Sequence, residues 1–525
     1  MGYFVNNRSI ISKFSLMKEE VLYIDKSDVI EKVEVLKKSL IQRYFCISRP
    51  RRFGKTTILQ MLSAYYCKKS SALKEDFKYV DDDFKQYNVI NINMVIENKD
   101  FDSWLNDLIS DLKIELLDTF DKYTGRLSLN SSLDNIICTI EDKSDGEERF
   151  IVLIDEWDYA IRNYDLSKSE ERSLLEFYNT FTKGFCNIEL CIMFGVFPKS
   201  GYVRESLSNN VIDYAIYNDK VFSEYIGFTE DEVRDLLNRV DSNLSLDDIK
   251  TWYNGYDVNG VSVMNSNSIV RAIMNNSIGS YWENTGDSEN LLKYYFRRGN
   301  DWSSLIYGVD LEISDSNPIK ISEFESKSSL EMRLVYSGFL SFSGNMIRIP
   351  NNEILSIFMK CNSMISNTGD LMKLLSLSRK AMDYLLKFDE DNLGKLFRQL
   401  HGHLVNSLEY NNHIALSYLT IFVFIACRDE FHIMKELNSG EGFCDLVFMK
   451  KDSSLGIIIE LKIDEFPDNA IQQIIDRNYV SRLSGFSKIL MAGISYLKND
   501  KEHKCKILEY DNSTKDCLFD KSNLF

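Results

Sequence analysis

Proline and histidine are scarce in this chain of 525 residues, with 5 of each. No Pro/Gly/Ser-rich tract and no internal repeat stands out, which excludes long flexible linkers and leaves helices or short loops to join the domains. Ten cysteines are scattered from Cys46 to Cys517 without a CxxC pair. With so few histidines this excludes the usual zinc spacings, and no Ser–His–Asp arrangement can be inferred. The N-terminus lacks the basic, apolar and small-residue order of a signal peptide, so the chain reads as intracellular, in a reducing compartment. Asn6 stands where a myristoylation signal wants Ser or Thr. The longest apolar stretch, HIALSYLTIFVFIAC from His413, is shorter than the roughly 18 to 20 residues that span a bilayer, and reads as a buried helix with no membrane partner. A net charge of −17 excludes a coat of bulk positive charge for nucleic acid, though not a local basic groove.

What is present is apolar and motif-bearing. A hydrophobic content of 44% over this length builds sizeable cores, enough for about two to four domains. Residues 47–62, ISRPRRFGKTTILQML, set Gly54 and Lys55 before Thr56 and Thr57. RYFCIS before them is β-prone, while Ile58, Leu59, Leu62, Tyr65 and Tyr66 recur at the spacing of a helix face. Strand, loop and helix in this order can hold phosphate. Backbone N–H groups and the helix N-terminus cradle the oxygens, Lys55 reaches the terminal phosphates, and the Thr56 hydroxyl ligates Mg²⁺. The strict G-x-x-x-x-G-K-[ST] pattern fails because its first glycine falls on Arg49. A helix cap with a surface lysine is therefore the plain alternative.

RFIVLIDEWDYAI supplies a second element, a buried strand ending in Asp155 and Glu156. Ligands of open α/β sheets bind at such strand ends. Asp155 can hold Mg²⁺ through water, and Glu156 can orient or deprotonate the attacking water. YNVININMVI reads as a strand, SWLNDLISDLKIELLDTF and SKSEERSLLEFYNTFTKGF as helices, and IELCIMFGV as another strand. This alternation predicts an α/β fold, a mostly parallel sheet with helices on both faces. From GFTEDEVRDLLNRV onward the sequence turns helical.

A third constellation lies near the end, in EGFCDLVFMKKDSSLGIIIELKIDEF, which reads as a hairpin about KKDSS. Asp445 opens its first strand. Alternation puts Glu460 and Lys462 on one face of the second, with Ile457, Ile459 and Leu461 on the other. Both acids can then meet one divalent cation, with Lys462 holding or activating a water. AIQQIIDRNY follows as a helix. An E-x-K on a strand is, by itself, a common exposed pair.

YIDKSDVI, SRPRRFGKTT, VLIDEWDYAI, WYNGYDV, YWENTG, LVYSGFLSF and IPNNEI, in this order, resemble the AAA-ATPase-like proteins that carry a C-terminal PD-(D/E)XK nuclease domain. The resemblance implies a P-loop NTPase domain over residues 1–229, a helical lid-like region over 230–365 and a PD-(D/E)XK nuclease-like α/β domain over 366–525. It implies ATP and Mg²⁺, with Mn²⁺ also suited to the nuclease site, nucleic acid as substrate, and an assembly of several copies. Members of this family carry arginines in the loop. Arg49, Arg51 and Arg52 then either give fixed positive charge to the phosphates or pair in part with acids on a neighbouring strand. The same resemblance places Gln473 at the nuclease site and brings Glu409, an acid on an upstream helix, to its metal.

The sequence departs from that family at four positions. Phe194 replaces a small polar residue before Gly195, and a phenyl ring cannot donate a hydrogen bond to a γ-phosphate, which bears on hydrolysis more than on binding. Ala160 replaces a proline, Asn412 a tyrosine, and Phe443 an arginine whose charge would serve DNA contact or site geometry. Trp252, Tyr253 and Tyr256 read either as a stacking platform for bases or as core packing. Two functional classes follow: an ATP-dependent enzyme that cleaves phosphodiesters with a metal, and a nucleotide-regulated binding or signalling module whose nuclease-like domain does not cut.

Overall fold

Five short apolar runs form one parallel sheet: β1 (Tyr44–Ser48), β2 (Asn88–Asn93), β3 (Phe150–Asp155), β4 (Leu190–Gly195) and β5 (Ile212–Tyr214), in the order β2-β3-β4-β1-β5. Parallel strands are covered on both faces, which is why these runs are apolar throughout rather than alternating. Cys46, Ile90, Val152, Ile154, Cys191 and Met193 join one core with the helices Phe101–Thr119, Leu133–Lys143 and Lys168–Thr182. The residues between them, Phe45, Ile47, Ile151, Leu153 and Ile192, are just as buried and point the other way, the side taken by the helix Lys55–Tyr66. This is an open parallel α/β sheet. All five strands run the same way, so the loop after β1 and the acids ending β3 emerge on one edge.

The computed structural model describes residues 3–68, 77–81, 86–97, 99–183, 188–199, 210–240, 242–282, 286–298, 302–311, 327–361, 368–404, 413–438, 443–452, 454–511 and 516–518. It divides into two compact units. One comprises Met1–Ser288, Leu311–Asn345 and Pro350–Asn352; the other comprises Glu289–Asp310, Met346–Ile349 and Glu353–Phe525. After β5 the first unit continues through the helices Glu230–Arg239 and Leu246–Tyr253, each opened by a capping box, from Thr229 and Ser245. β6 (Tyr256–Val258) and β7 (Val261–Val263) form a hairpin; of the next strands, β8 (Val309–Asp310), β9 (Ser341–Ser343) and β10 (Met346–Arg348), only β9 belongs to the first unit. Trp252, Tyr253 and Tyr256 are buried, the last two donating their hydroxyls to the carbonyls of Gly279 at 2.9 Å and Gly338 at 2.8 Å. They pack the core and offer no face to a base.

In the second unit β8 pairs antiparallel with β10. The larger sheet runs β11 (Phe431–Asn438), β12 (Phe443–Lys450), β13 (Leu455–Ile463), β14 (Lys488–Leu497), β15 (Glu502–Asp511) and β16 (Asp516–Leu518) in chain order. Only β13 and β14 pair in parallel, and the helix Pro467–Asp476 makes their crossover. It lies close on β14 because position 493 is glycine: a Cβ there would stand 2.2 Å from the Pro467 carbonyl oxygen. The apolar stretch from His413 becomes the helix His413–Val423, with Leu416, Leu419 and Phe422 buried. Among the described residues no helix is long and apolar enough to cross a membrane. Among them, too, seven cysteines are free.

Candidate functional site

The turn after β1 is built on an ion pair. Arg49 and Asp219 are fully buried against one another, and the guanidinium also donates to the carbonyls of Ser48 at 2.8 Å and Tyr214 at 3.3 Å. Arg49 is therefore not a phosphate ligand here: of the two roles open to the loop arginines it takes the structural one, pairing with an acid. A guanidinium buried at the root of the loop needs a carboxylate partner, and Asp219 supplies it. Gly54 caps the following helix at φ +92°, a conformation that favours glycine. Arg52, at φ +67°, donates to the Tyr281 carbonyl at 3.3 Å. Lys55 is buried and its ammonium donates to the carbonyls of Arg49 and Pro50, both at 2.9 Å. Burial pulls its pKa down, against Glu156 and Asp155, which raise it.

The acids come from β3. Thr56 donates its hydroxyl to Asp155 at 2.8 Å, so the two oxygens expected beside Mg²⁺ already stand together. Burial lifts the Asp155 carboxyl above its ordinary range, and the Thr56 bond opposes it. Glu156 sits at φ +54° and accepts from the Arg162 guanidinium. Burial pushes the Glu156 carboxyl up, but Lys55, Arg162 and Arg51 together outweigh it and hold the group below its usual range. Arg51 thus reaches the site through charge. Arg52, Gly54, Lys55, Thr56, Thr57 and Glu156 all line one cavity of about 650 Å³, with Met17 and Val270 on its apolar side. That size suits a small-molecule ligand. Phe194 is wholly buried, and its carbonyl accepts from the Trp157 N–H at 3.1 Å.

Sequence reasoning missed Asp158 and Arg162. Their signal is an acid and an arginine four apart, neighbours on a helical turn. The Asp158 carboxylate is fully buried and accepts from Arg162 at 2.8 Å and from the backbone N–H groups of Val196 at 3.1 Å and Phe197 at 2.7 Å.

In the second unit the register that pairs Leu446 with Ile459 sets Asp445 beside Glu460, whose carboxylate accepts from the Asp445 N–H at 3.4 Å. Asp445 accepts from the Leu461 N–H at 2.8 Å. The Lys462 ammonium lies 3.8 Å from Glu460 and donates to the Gln473 side chain, which in turn donates to Glu460. Asp445, Glu460, Lys462 and Gln473 are thus one connected group. Burial, then the Asp445 charge, lifts the Glu460 carboxyl to about 7. His413, which sequence reasoning also missed, brings its imidazole 3.5 Å from Asp445, and that contact raises its pKa. Glu409 and Asn412 lie outside the described residues, as does the Phe443 side chain. Among the described residues no three His, Cys, Asp or Glu side chains form a metal-binding cluster. Two hard carboxylates remain, a donor set that suits Mg²⁺, which keeps most of its waters.

The lysine loop after β1 and the acids that end β3 lie inside one stretch that matches a family model. Residues 9–200 match the model of the AAA-ATPase-like family, described as "Predicted AAA-ATPase". The uncharacterized protein in vnfD 5'region of Azotobacter chroococcum mcd 1 is 21% identical over 492 residues, spanning 87% of this chain and 90% of its own length. Among solved structures, the Walker-type ATPase paby2304 of Pyrococcus abyssi is 14% identical, with 64% of this chain and 96% of that one covered and a TM-score of 0.35. The Aeropyrum pernix ORC2 protein, solved as ADPNP–ADP complexes, is 11% identical over 64% of this chain and 92% of its own, with a TM-score of 0.29.

Proposed function

We propose that the first unit binds and hydrolyses ATP with Mg²⁺, and that the second unit cleaves nucleic acid phosphodiesters with a divalent metal under the control of that nucleotide. The observation that carries the first half is the shared cavity of Lys55, Thr56 and Glu156, with Asp155 hydrogen-bonded to Thr56. Lys55 would exchange its two carbonyl acceptors for phosphate oxygens on binding. Glu156, already ionised by the cations around it, would accept the proton of the attacking water. Thr56 and Asp155 would hold Mg²⁺, which supplies neutralisation of phosphate charge when bound. Lys55→Ala should lose ATP affinity strongly by calorimetry, while Glu156→Gln should bind ATP and keep only a small residual turnover. Equal affinity in Lys55→Ala and the wild type would sink the first half.

For the second half, Asp445 and Glu460 would hold the metal, and Lys462, steadied by Gln473, would orient the water and meet charge building on the phosphate. Incubation of labelled DNA and RNA with the wild type, Asp445→Ala and Lys462→Ala, with and without ATP, in Mg²⁺, Mn²⁺ or EDTA, tests it. Cleavage equal in all three proteins would point to another site or a contaminant. One observation favours the non-cutting module: Glu460 is already engaged by Gln473 and Asp445, and no third acid among the described residues completes a metal cluster. No cleavage by the wild type on any substrate would select that reading.

A further inference from the structure

β4 ends in Phe194 and Gly195, and the backbone just beyond it is wired to the site. The N–H groups of Val196 and Phe197 donate to Asp158 Oδ2, at 3.1 and 2.7 Å. The same oxygen accepts Arg162 Nε at 2.8 Å. The other end of that guanidinium, Nη2, donates to Glu156 Oε2. The side chains in this chain of contacts are 0% exposed at Asp158, 7% at Arg162 and 23% at Glu156.

A planar guanidinium holding two carboxylates fixes their separation, which a single-point ammonium does not. Glu156 holds a left-handed backbone, which non-glycine residues keep only where the surroundings impose it. With Oε2 taken by Arg162, Oε1 is the oxygen left to meet water. Lys55 and Glu156 line the cavity, whereas Arg162 is buried between the two acids, so its place is to hold a carboxylate rather than to bind a ligand.

We infer that Arg162 is a positioning residue for ATP hydrolysis: through Asp158 it ties the end of β4 to Glu156 and fixes the carboxylate that receives the proton from water. The inference rests on the reading of Glu156 given above. The link between β4 and the reacting water then runs through the ion pairs of Asp158, Arg162 and Glu156.

The test is steady-state ATP turnover by the full chain in wild type, Arg162→Ala, Arg162→Lys, Glu156→Gln and the double variant Glu156→Gln/Arg162→Ala. Arg162→Ala should lower kcat about 100-fold, the scale of a misplaced reacting group, with KM changed by less than about threefold. Arg162→Lys should recover part of the loss, and it decides the question if Arg162→Ala does not fold. On the Glu156→Gln background the alanine change should cost nothing further, because two residues that act as one unit are not additive. A raised KM with kcat intact would make Arg162 a nucleotide ligand, faster turnover would make it a brake, and an additive double variant would separate it from Glu156. Each of these overturns the inference while leaving ATP hydrolysis standing. Absence of turnover in the wild type, or turnover that survives Lys55→Ala, removes the hydrolysis reading and this inference with it.

Discussion

Replacing Glu460 by glutamine should stabilise the second unit at alkaline pH and do little at acid pH. The carboxyl is 4% exposed and its pKa is lifted from 4.5 to about 7, by burial first and then by Asp445. Below pH about 4.5 folded and unfolded chains both carry the proton, and the group has no effect on stability. Between about 4.5 and 7 the unfolded chain releases it while the folded chain keeps it, so folding loses about 1.4 kcal/mol per pH unit. Above pH about 7 the loss is complete, at about 3 kcal/mol. Glutamine has no charge to desolvate, and its amide oxygen can still accept from Gln473. Hydrogen exchange of the β13 and β14 amides in EDTA, with both proteins compared at the same pH, reads the opening free energy of this sheet. At pH 8 exchange in Glu460→Gln should be about a hundredfold slower, and at pH 5 only a few-fold slower. Equal protection at pH 8, or a loss of protection of the same size at both pH values, would refute a buried carboxyl held at a cost.

His401 Nδ1 and His503 Nε2 lie 2.6 Å apart in a buried contact, and burial lowers the pair to about 4 and about 3. The second unit should therefore lose stability as pH falls from about 6.5 toward 4, by about 3 kcal/mol for His401 alone, since the unfolded chain binds the proton first. Urea midpoints at pH 7 and 4.5 should show this loss, and it should shrink in His401→Gln. Gly493→Ala would put a Cβ 2.2 Å from the Pro467 carbonyl, which must displace the helix carrying Gln473. Urea unfolding should show a loss of about 1 to 3 kcal/mol, the scale of overpacking. Arg49→Met leaves Asp219 buried and unpaired and should cost about 3 to 5 kcal/mol by the same assay, most of it regained in Arg49→Met/Asp219→Leu.

The parallel sheet was legible because strands covered on both faces must be apolar at every position, as β3 and β4 are. The period of two likewise puts Glu460 and Lys462 on one face of their strand. The direction of Arg49 was not legible: which arginine of the loop turns inward depends on Asp219, 170 residues away in the chain. His413 and Asp445 meet only because the helix Val423 closes packs back on β13, a tertiary fact without a local pattern. Gly493 was silent for a similar reason. A glycine in a strand announces close approach, but not what approaches.

The order β2-β3-β4-β1-β5 also has a consequence in time. β1 is fully buried, yet both of its neighbours, β4 and β5, are made later, with β4 ending about 150 residues further along the chain. At about 5 to 20 residues per second, a newly made Tyr44–Ser48 waits roughly 7 to 30 s on the ribosome for its first partner. Until then an aromatic strand with two open edges hangs from the lysine loop, the kind of segment on which aggregation begins. The turn after β1 gains one of its anchors only when β4 arrives, because the Arg49 N–H is held by the Gly195 carbonyl at 3.1 Å. During synthesis, therefore, the nucleotide proposed for this loop would report on completion of the sheet rather than nucleate it.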